Sequence, residues 1–407
     1  MNSDVVVIGG GAAGMLCAAL AAERGLDVIL LEPNKMLGKK LRITGKGRCN
    51  VTNNCDVKTV LAHIPGGGKF LYSALNRFPP EEVMNLFENL GVPLKTERGN
   101  RVFPVSDKSG DIVGALHNYM DSLGVRIVHS AAHSLRIEDG AITGVRCQSG
   151  MITCRNAVIC TGGLSYPLTG STGDGYKLAK QAGHTINECR PSLVPLESPD
   201  TYCADMQGFS LRNVTLSAFE DDKLIYKELG EMLFTHFGVT GPLVLSASSH
   251  MRHMGERQYR LEVDLKPALD EEKLDARILR DFEEQKNKEF KNALGGLAGR
   301  TMIPVLVELS GIDPDTKVHS ITREQRHHLV QLFKKFPIRV SGTRPFAEAI
   351  ITAGGVELSE INPRTMESKL VDGLFFAGEV LDLDAYTGGF NLQIAWSTAY
   401  VAANAVN

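Results

Sequence analysis

The sequence predicts an α/β fold with a parallel sheet built from the two ends of the chain and a smaller antiparallel module inserted between them. Three observations predict it. Val5-Val6-Val7-Ile8, Val28-Ile29-Leu30-Leu31, Ala157-Val158-Ile159-Cys160 and Leu374-Phe375-Phe376-Ala377 are short apolar runs with the length and branching of buried strands. Gly9-Gly10-Gly11-Ala12-Ala13-Gly14 joins the first run to an alanine- and leucine-rich helical stretch, Met15 to Arg24, which Gly25 can end. Between about Arg190 and Thr343 the pattern changes to short alternating runs and strongly charged helical segments.

The opening stretch carries the first chemistry. Gly9, Gly11 and Gly14 satisfy G-x-G-x-x-G in register with the strand before and the helix after. Gly9 permits the tight turn, Gly11 lets the backbone approach a pyrophosphate, and Gly14 lets helix and strand pack closely. The helix N-terminus offers unpaired N–H groups and partial positive charge to phosphate. Glu32 ends the second strand, eighteen residues past Gly14, where it can accept hydrogen bonds from a ribose. Its charge would repel a 2′-phosphate, which disfavours NADP at this site. The pattern alone does not separate FAD from NAD.

Composition sets the outer bounds. At 407 residues the chain exceeds one simple core, and 43% hydrophobic with 22% charged residues is ordinary for a globular protein. A net charge of −3 gives no support for nucleic-acid binding. No basic-then-apolar leader precedes the first strand and no apolar run reaches the length of a membrane span, so a cytoplasmic enzyme is expected. The cysteines at 17, 49, 55, 147, 154, 160, 189 and 203 form no C-x-x-C pair and no zinc-finger spacing, so no metal site is expected. Cys49 and Cys55 lie where flavin disulfide reductases carry a redox pair, but five residues separate them rather than four.

Taken in order, Lys39 to Asn53 leaves the second strand as a basic loop with Lys39, Lys40, Arg42, Lys46 and Arg48 beside Gly45, Gly47, Asn50 and Asn53. Its backbone N–H groups, with Lys40 or Arg48, can hold phosphate or the polar edge of a flavin. Pro65 to Lys69 reads as a structural turn, and Pro80 to Leu90 and Asp111 to Leu123 read as helices. Arg101 to Pro104 has no role that the sequence reveals. Val125 to His129, Ser134 to Glu138 and Ala141 to Cys147 read as strands, the last two joined at Asp139-Gly140. Thr161-Gly162-Gly163 ends the next strand and opens a glycine- and hydroxyl-rich loop holding Ser165-Tyr166-Pro167, before a helix from Tyr176 to Gln181. In the middle of the chain, Val214 to Phe219, Leu224 to Lys227 and Arg260 to Leu265 suggest an antiparallel sheet or barrel, interrupted by a glycine-flanked loop from Leu233 to Pro242 whose one histidine is His236. Asp270 to Asn292 and Thr322 to Lys335 are helical. After Phe376 come Gly378-Glu379 and then Gly388-Gly389-Phe390-Asn391, which opens an apolar helix from Leu392 to Asn404. A second helix N-terminus behind a glycine pair favours FAD, which has two ends to hold.

Together the 9–32 motif, Thr44 to Asn53, Ser165-Tyr166-Pro167 with Thr169 to Gly173, Leu233 to Pro242, and Gly378-Glu379 with Thr387 to Asn391 resemble the three-domain bacterial FAD flavoproteins that include aminoacetone oxidase and the bile-acid-pathway reductase BaiN. Lys46 departs from the glycine usual in that loop. The resemblance implies a discontinuous Rossmann-like FAD-binding domain over 1–190 and 344–407, an inserted antiparallel β-barrel over 191–267 and 336–343, and a small helical lobe over 268–335. It implies non-covalent FAD held at Gly9, Gly11, Ala12, Ala13, Gly14, Glu32, Lys39, Lys40, Gly45, Arg48, Cys49, Asn50, Val51, Ala132, His133, Thr161, Gly162, Gly378, Glu379, Gly389, Phe390, Asn391 and Leu392. Tyr166 and His236 are the candidate catalytic residues.

Four readings of activity remain open. One is NAD(P)H-dependent reduction of a C=C bond conjugated to a ketone, as in a 3-oxo-Δ4,6 bile acid or related steroid, with NAD(P)H a transient electron donor. The others are oxygen-dependent oxidation of a small amine, flavin disulfide reduction, and a non-catalytic flavin-bound interaction module. The expected partner is a small apolar or carbonyl-bearing substrate, with no nucleic acid and no membrane span. The sequence leaves oligomeric state open.

Overall fold

The structure is a computed structural model that describes residues 1–407. It divides into two compact units, residues 1–192 with 345–407, and residues 193–344. No helix is long and apolar enough to cross a membrane.

The first unit is built on a five-stranded sheet in the order Leu374–Phe376, Asn156–Ile159, Val5–Ile8, Val28–Leu31, Arg126–Val128, with every pair parallel. The four inner-core runs are buried throughout, as both faces of a parallel sheet are covered. Val5–Ile8 is central. Its successor in the chain lies on one side and Asn156–Ile159 on the other, so the order reverses at its carboxyl end, where α/β sheets bind ligands. Helix Ala12–Glu23 leaves that end with residues Ala13 to Ala22 all buried, and packs along helix Phe390–Ala405. Arg24 ties the pair together, donating to the Ala403 and Val406 carbonyls at 2.6 and 2.7 Å.

Smaller sheets complete the unit. Ala132–Glu138, Ala141–Cys147 and Gly150–Thr153 form an antiparallel meander, and Asp139 and Gly140 both take positive φ (50° and 80°) at its first turn, as a tight hairpin requires. Thr52–Asn53, Arg101–Pro104 and Leu94–Glu97 form another, which gives the Arg101 to Pro104 segment its place. Ile186–Ser192 pairs with Ile351–Val356, joining the two chain segments of the unit across the insertion.

The second unit carries a seven-stranded antiparallel sheet in the order Phe336–Val340, Tyr259–Asp264, Ser210–Glu220, Lys223–Thr235, Gly238–Thr240, Leu196–Glu197, Gly342–Thr343. Helices Glu271–Glu284, Ile303–Ser310 and Arg323–Lys334 share one hydrophobic core with it. Asp270 and Thr322 cap two of them, Thr322 in a full capping box with Gln325.

Two segments differ from the reading of the sequence. Leu233 to Pro242 is not an interrupting loop: Lys223–Thr235 and Gly238–Thr240 form a hairpin, with Leu233 opposite Thr240. The long strand was hidden because Gly230 and a register shift opposite Arg212 and Val214 break its alternation. Lys39 to Gly47 is not a loop either, but a short helix, Lys39–Ile43, running into a 3-10 turn, Thr44–Gly47.

His184 is sealed inside the first unit. Its Nδ1 lies 3.1 Å from a Glu360 oxygen and its Nε2 2.8 Å from the Ser368 hydroxyl, with the ring edge-on to Phe376. Burial lowers its pKa below the ordinary 6.5, against the opposing pull of Glu360. Burial opposes the lowered pKa of Glu360, but hydrogen bonds from Thr185 and His184 outweigh it. Both groups bind fewer protons folded than unfolded, so this share of stability is present above the ordinary histidine pKa and lost as pH falls below it. Melting curves from roughly pH 8 down to 5.5 are expected to lose more Tm in the wild type than in His184→Gln. Parallel curves would show that His184 does not carry the dependence.

Candidate functional site: a cleft between two helix N-termini

At the sheet's reversal point the first unit opens a cleft walled entirely by residues of that unit. Its floor is glycine. A Cβ on Gly14 would lie 1.8 Å from the Gly9 carbonyl oxygen, and one on Gly9, at φ +106°, would lie 2.7 Å from the Cys160 oxygen. Gly11 is different: a Cβ there meets nothing within 4 Å, because the residue faces the open cleft. Gly11 also begins helix Ala12–Glu23 with no side chain capping it, so the first N–H groups at Ala12 and Ala13 face the same space. Across the cleft Gly389, at φ +101°, begins helix Phe390–Ala405, again without a side-chain cap, and Asn391 and Leu392 form part of the wall. Two positive helix ends therefore converge on one cleft.

Acid and base are placed with equal care. Glu32 accepts from the Gly10 N–H at 2.8 Å through one oxygen, and from the Asn34 N–H and side-chain amide at 2.8 and 2.7 Å through the other. The first oxygen keeps a lone pair for a hydroxyl donor. Lys39 donates to Asn34 at 2.5 Å. Lys40 pairs with Glu379 at 2.6 Å, and both line the cleft with Gly378. Thr161 and Gly162 line it too, and the Thr161 hydroxyl is buried with no hydrogen-bond partner in the protein. That hydroxyl packs against Gly175, where a Cβ would stand 2.0 Å from it, and so faces away from the cleft. Open glycine, two uncapped helix ends and a poised carboxylate together fit a dinucleotide with a polar ring at its far end. That is the make-up of FAD.

Other residues expected at the cofactor stand behind the wall or away from it. Gly45 lies in the 3-10 turn at φ +57° beside wall residue Thr44. Cys49 is buried at φ +61°, and Val51 is buried with its carbonyl accepting from the Trp396 indole at 2.9 Å. The Asn50 side-chain oxygen is also buried and unpartnered. Phe390 stacks on His63 with ring centres 4.3 Å apart. Arg48 turns outward instead: its guanidinium pairs with Glu97 and Asp107 at 2.5 Å each and lies over the Phe103 ring. Ala132 pairs with Cys147 in the meander, with His133 next to it, and neither forms part of the cleft wall.

Tyr166 is half-buried at φ +52°, in the loop that brings Thr169, Gly170 and Ser171 to the wall. His236 is exposed on the hairpin turn of the second unit, with its ring edge-on to Phe237. The cysteine pair is inert: burial pushes the Cys49 thiol up to about 12 and the Cys55 thiol up to about 11, and neither is bonded to another sulfur.

Several wall residues had no separate signal in the sequence. Ile351 lines the cleft at the start of the strand that pairs with Ile186–Ser192, with Ile350 just before it. Asn34 could have been found, two residues beyond Glu32, as the group that fixes its carboxylate.

The comparisons with known proteins follow this geometry. A family model described as HI0933-like protein Rossmann domain matches residues 3–405. A ribosomal RNA dihydrouridine synthase of Haemophilus influenzae is 31% identical, with 100% of this chain and 98% of that one covered. A 3-dehydro-bile acid delta(4,6)-reductase of Clostridium scindens is 29% identical, with 98% of each covered. Among solved structures, 3-ketosteroid delta1-dehydrogenase from Sterolibacterium denitrificans superposes with a TM-score of 0.53 at 13% identity, covering 100% of this chain and 99% of that one, a likeness of fold.

Two substitutions test the site. Glu32→Ala should weaken FAD binding about ten- to a hundredfold, the worth of one charged hydrogen bond, in a fluorescence titration. Unchanged affinity would remove Glu32 from the site. Arg48→Ala should lower Tm through the lost Glu97, Asp107 and Phe103 contacts while leaving FAD affinity within about twofold. A large loss of affinity at unchanged Tm would return Arg48 to the cofactor.

Proposed function

This chain belongs to the HI0933-like protein Rossmann-domain family and is an FAD-dependent oxidoreductase, and on that premise we propose that it reduces a carbon–carbon double bond conjugated to a carbonyl. The observation that carries the proposal is the full-length similarity to two kinds of relative whose named reactions share that chemistry. Making dihydrouridine saturates the C5=C6 bond of a uracil ring, conjugated to the C4 carbonyl. A delta(4,6)-reductase acts on a conjugated steroid ketone. In both, hydride adds to the carbon remote from the carbonyl and a proton to the carbon beside it.

FAD supplies, when bound, a carrier that takes and gives two electrons as hydride. The chain's own part is to bind and orient. The helix ends at Ala12 and Asn391 and the Glu32 carboxylate would hold the two ends of the cofactor. We assign the proton to Tyr166, in the loop that also supplies Thr169 to Ser171 to the wall. The high thiol pKa values of Cys49 and Cys55 disfavour disulfide reduction.

A uridine of ribosomal RNA is our first reading of the substrate, in place of the expectation from composition of no nucleic-acid partner, because two relatives of that name, from Haemophilus influenzae and Escherichia coli, each reach 31% identity over nearly the whole chain. A 3-oxo-Δ4,6 steroid is the second, supported by the Clostridium scindens relative at 29%. NAD(P)H is the proposed donor. With one nucleotide motif, taken by FAD, it would act and leave before the substrate enters, in a ping-pong cycle. The barrel reading of the inserted unit is supported by its end strands, Phe336–Val340 and Gly342–Thr343, which adjoin in the chain. A reducing compartment such as the cytoplasm suits eight free cysteines.

Anaerobic mixing of the holoprotein with NADH or NADPH is expected to bleach the flavin. Adding a ribosomal RNA transcript should restore the colour and leave a uridine two hydrogens heavier by mass spectrometry, whereas restoration by the steroid dienone alone would select the second reading. If neither nicotinamide bleaches the flavin but a small primary amine does, the reductase proposal fails in favour of an oxidase. Tyr166→Phe should slow reoxidation by substrate about a hundredfold while leaving bleaching by nicotinamide unchanged. An unaffected rate would remove Tyr166 from the proton's path.

A further inference from the structure

Two stretches of the sequence have no part in the cofactor cleft: the hairpin turn that leads into Arg101 to Pro104, and the turn from Pro65 to Lys69. The fold brings both to one place. Wall residues Leu383 and Asn391 are joined in the chain by Tyr386 to Gly389, a half-buried strip at the rim of the cleft. Gly388, at one end of the strip, is clipped to the hairpin turn. The Asn53 side-chain amide donates to the Gly388 and Gly99 carbonyls at 3.0 Å each. Tyr386, at the other end, donates its N–H to the His63 carbonyl at 3.0 Å. Just beyond His63, Gly67 packs on Leu383 so tightly that a Cβ would lie 2.6 Å from that side chain, and helix Gly68–Arg77 begins.

What the two stretches expose is cationic and aromatic. Gly99 and Asn100 take positive φ (75° and 57°), which turns the hairpin tightly and leaves Arg98 and Arg101 exposed at its tip. Arg101 Nε donates to the Arg98 carbonyl at 3.1 Å, and neither guanidinium has a carboxylate partner. The exposed Arg126, Arg136 and Arg155 of the same unit each pair with an acid. Lys69 is likewise exposed without a partner. Tyr72 follows three residues later on the same helix face, 63% exposed, and the two line an open groove with Pro65 and Gly66.

We infer that this rim is a landing surface for single-stranded RNA on either side of the target uridine. Arg98 and Arg101 pair with phosphates on one flank, and on the other Lys69 pairs with a phosphate while Tyr72 stacks on a base. This rests on the RNA reading of the substrate. A base inside a stack is out of reach of an enzyme's reacting group, so it has to leave the stack while the strand to each side is held outside. Cations beside an exposed aromatic face are the means by which proteins hold such strands. Two neighbouring arginines with no acid repel each other, a cost that a bound phosphodiester removes. The net charge of −3 does not oppose this, because charges more than about 8 Å apart are largely screened at physiological salt and the local field decides. A steroid ketone has no phosphate for these groups to meet.

Fluorescence anisotropy of the FAD-loaded protein with a labelled, unstructured RNA of about 15 nucleotides tests the surface across a range of salt concentrations. The Arg98→Ala/Arg101→Ala variant is expected to bind about tenfold more weakly. Its plot of log affinity against log salt should be shallower by about 1.4, two phosphate contacts at about 0.7 each. Tyr72→Ala should also lose about tenfold but keep the wild-type slope, and Tyr72→Phe, which keeps the ring, should match the wild type. Arg155→Gln, an exposed arginine paired with Asp4 far along the sheet from the cleft, is the control and should change neither quantity. All variants should retain FAD. Wild-type affinity and slope in the double arginine variant, or an equal loss in Arg155→Gln, would overturn the surface. So would a wild type that binds phosphatidylglycerol vesicles but not RNA. A wild type that forms dihydrouridine in a ribosomal RNA transcript beside an indifferent double variant would overturn the surface alone. One that neither binds RNA nor forms dihydrouridine would overturn the RNA reading with it.

Discussion

The site depends on one contact, the approach of helix Ala12–Glu23 to strand Val5–Ile8 through Gly14 and Gly9. No side chain fits between them: a Cβ on Gly14 would overlap the Gly9 carbonyl oxygen at 1.8 Å. That closeness puts the helix N-terminus over the carboxyl end of the strand, where its free N–H groups meet the cleft. The same economy of size continues along the helix. Ala18, Ala19, Ala21 and Ala22 are buried, and they let helix Phe390–Ala405, itself rich in alanine, lie alongside. Gly389 brings that second helix in as tightly as Gly14 brings the first, since a Cβ on it would stand 2.3 Å from the Thr52 carbonyl oxygen. Two helix ends can aim at one space because small residues line both approaches.

Charge in the cleft is arranged on the same principle of occupied neighbours and one free position. Glu32 is held by the Gly10 N–H and by Asn34, which is in turn held by Lys39. Lys40 and Glu379 hold each other and lean on Ser165. These side chains lose little rotamer freedom when a ligand arrives, because their positions are already fixed. Arg48 shows the opposite use of charge. Nine residues beyond Lys39, it turns to the surface and binds the 94–107 region to the segment that carries Cys49 and Asn50.

Much of the parallel sheet was legible because buried strands announce themselves as short apolar runs, and the dinucleotide turn because glycine spacing has a mechanical cause. Both helix N-termini were legible for the same reason. The contacts that finish the site were not. Lys40 meets Ser165 and Glu379 across 125 and 339 residues of chain, and nothing local to any of the three reports the meeting. Arg48 shows the same limit from another side. Its position in a basic, glycine-rich segment suggested phosphate, while the acids that pair with it, Glu97 and Asp107, flank the Arg101 to Pro104 segment, whose role the sequence does not reveal. In the inserted unit, strand Lys223–Thr235 read as four residues because Gly230 and the shifted register broke the alternation on which a strand is recognised.

The division of the chain also explains why cofactor and substrate differ so much in legibility. Every wall residue of the cleft comes from 1–192 or 345–407, and none from 193–344. The cofactor demands a turn, a helix dipole and a carboxylate at fixed spacing, and such demands leave a mark in sequence. A planar conjugated ketone makes no comparable demand. It needs an apolar surface and one proton donor, which many unrelated residues can supply. Uracil and a steroid dienone are electronically alike at the bond that reacts and unlike in everything else. If the chain reduces a conjugated ketone, as proposed, the choice between two such substrates rests with side chains that no motif records.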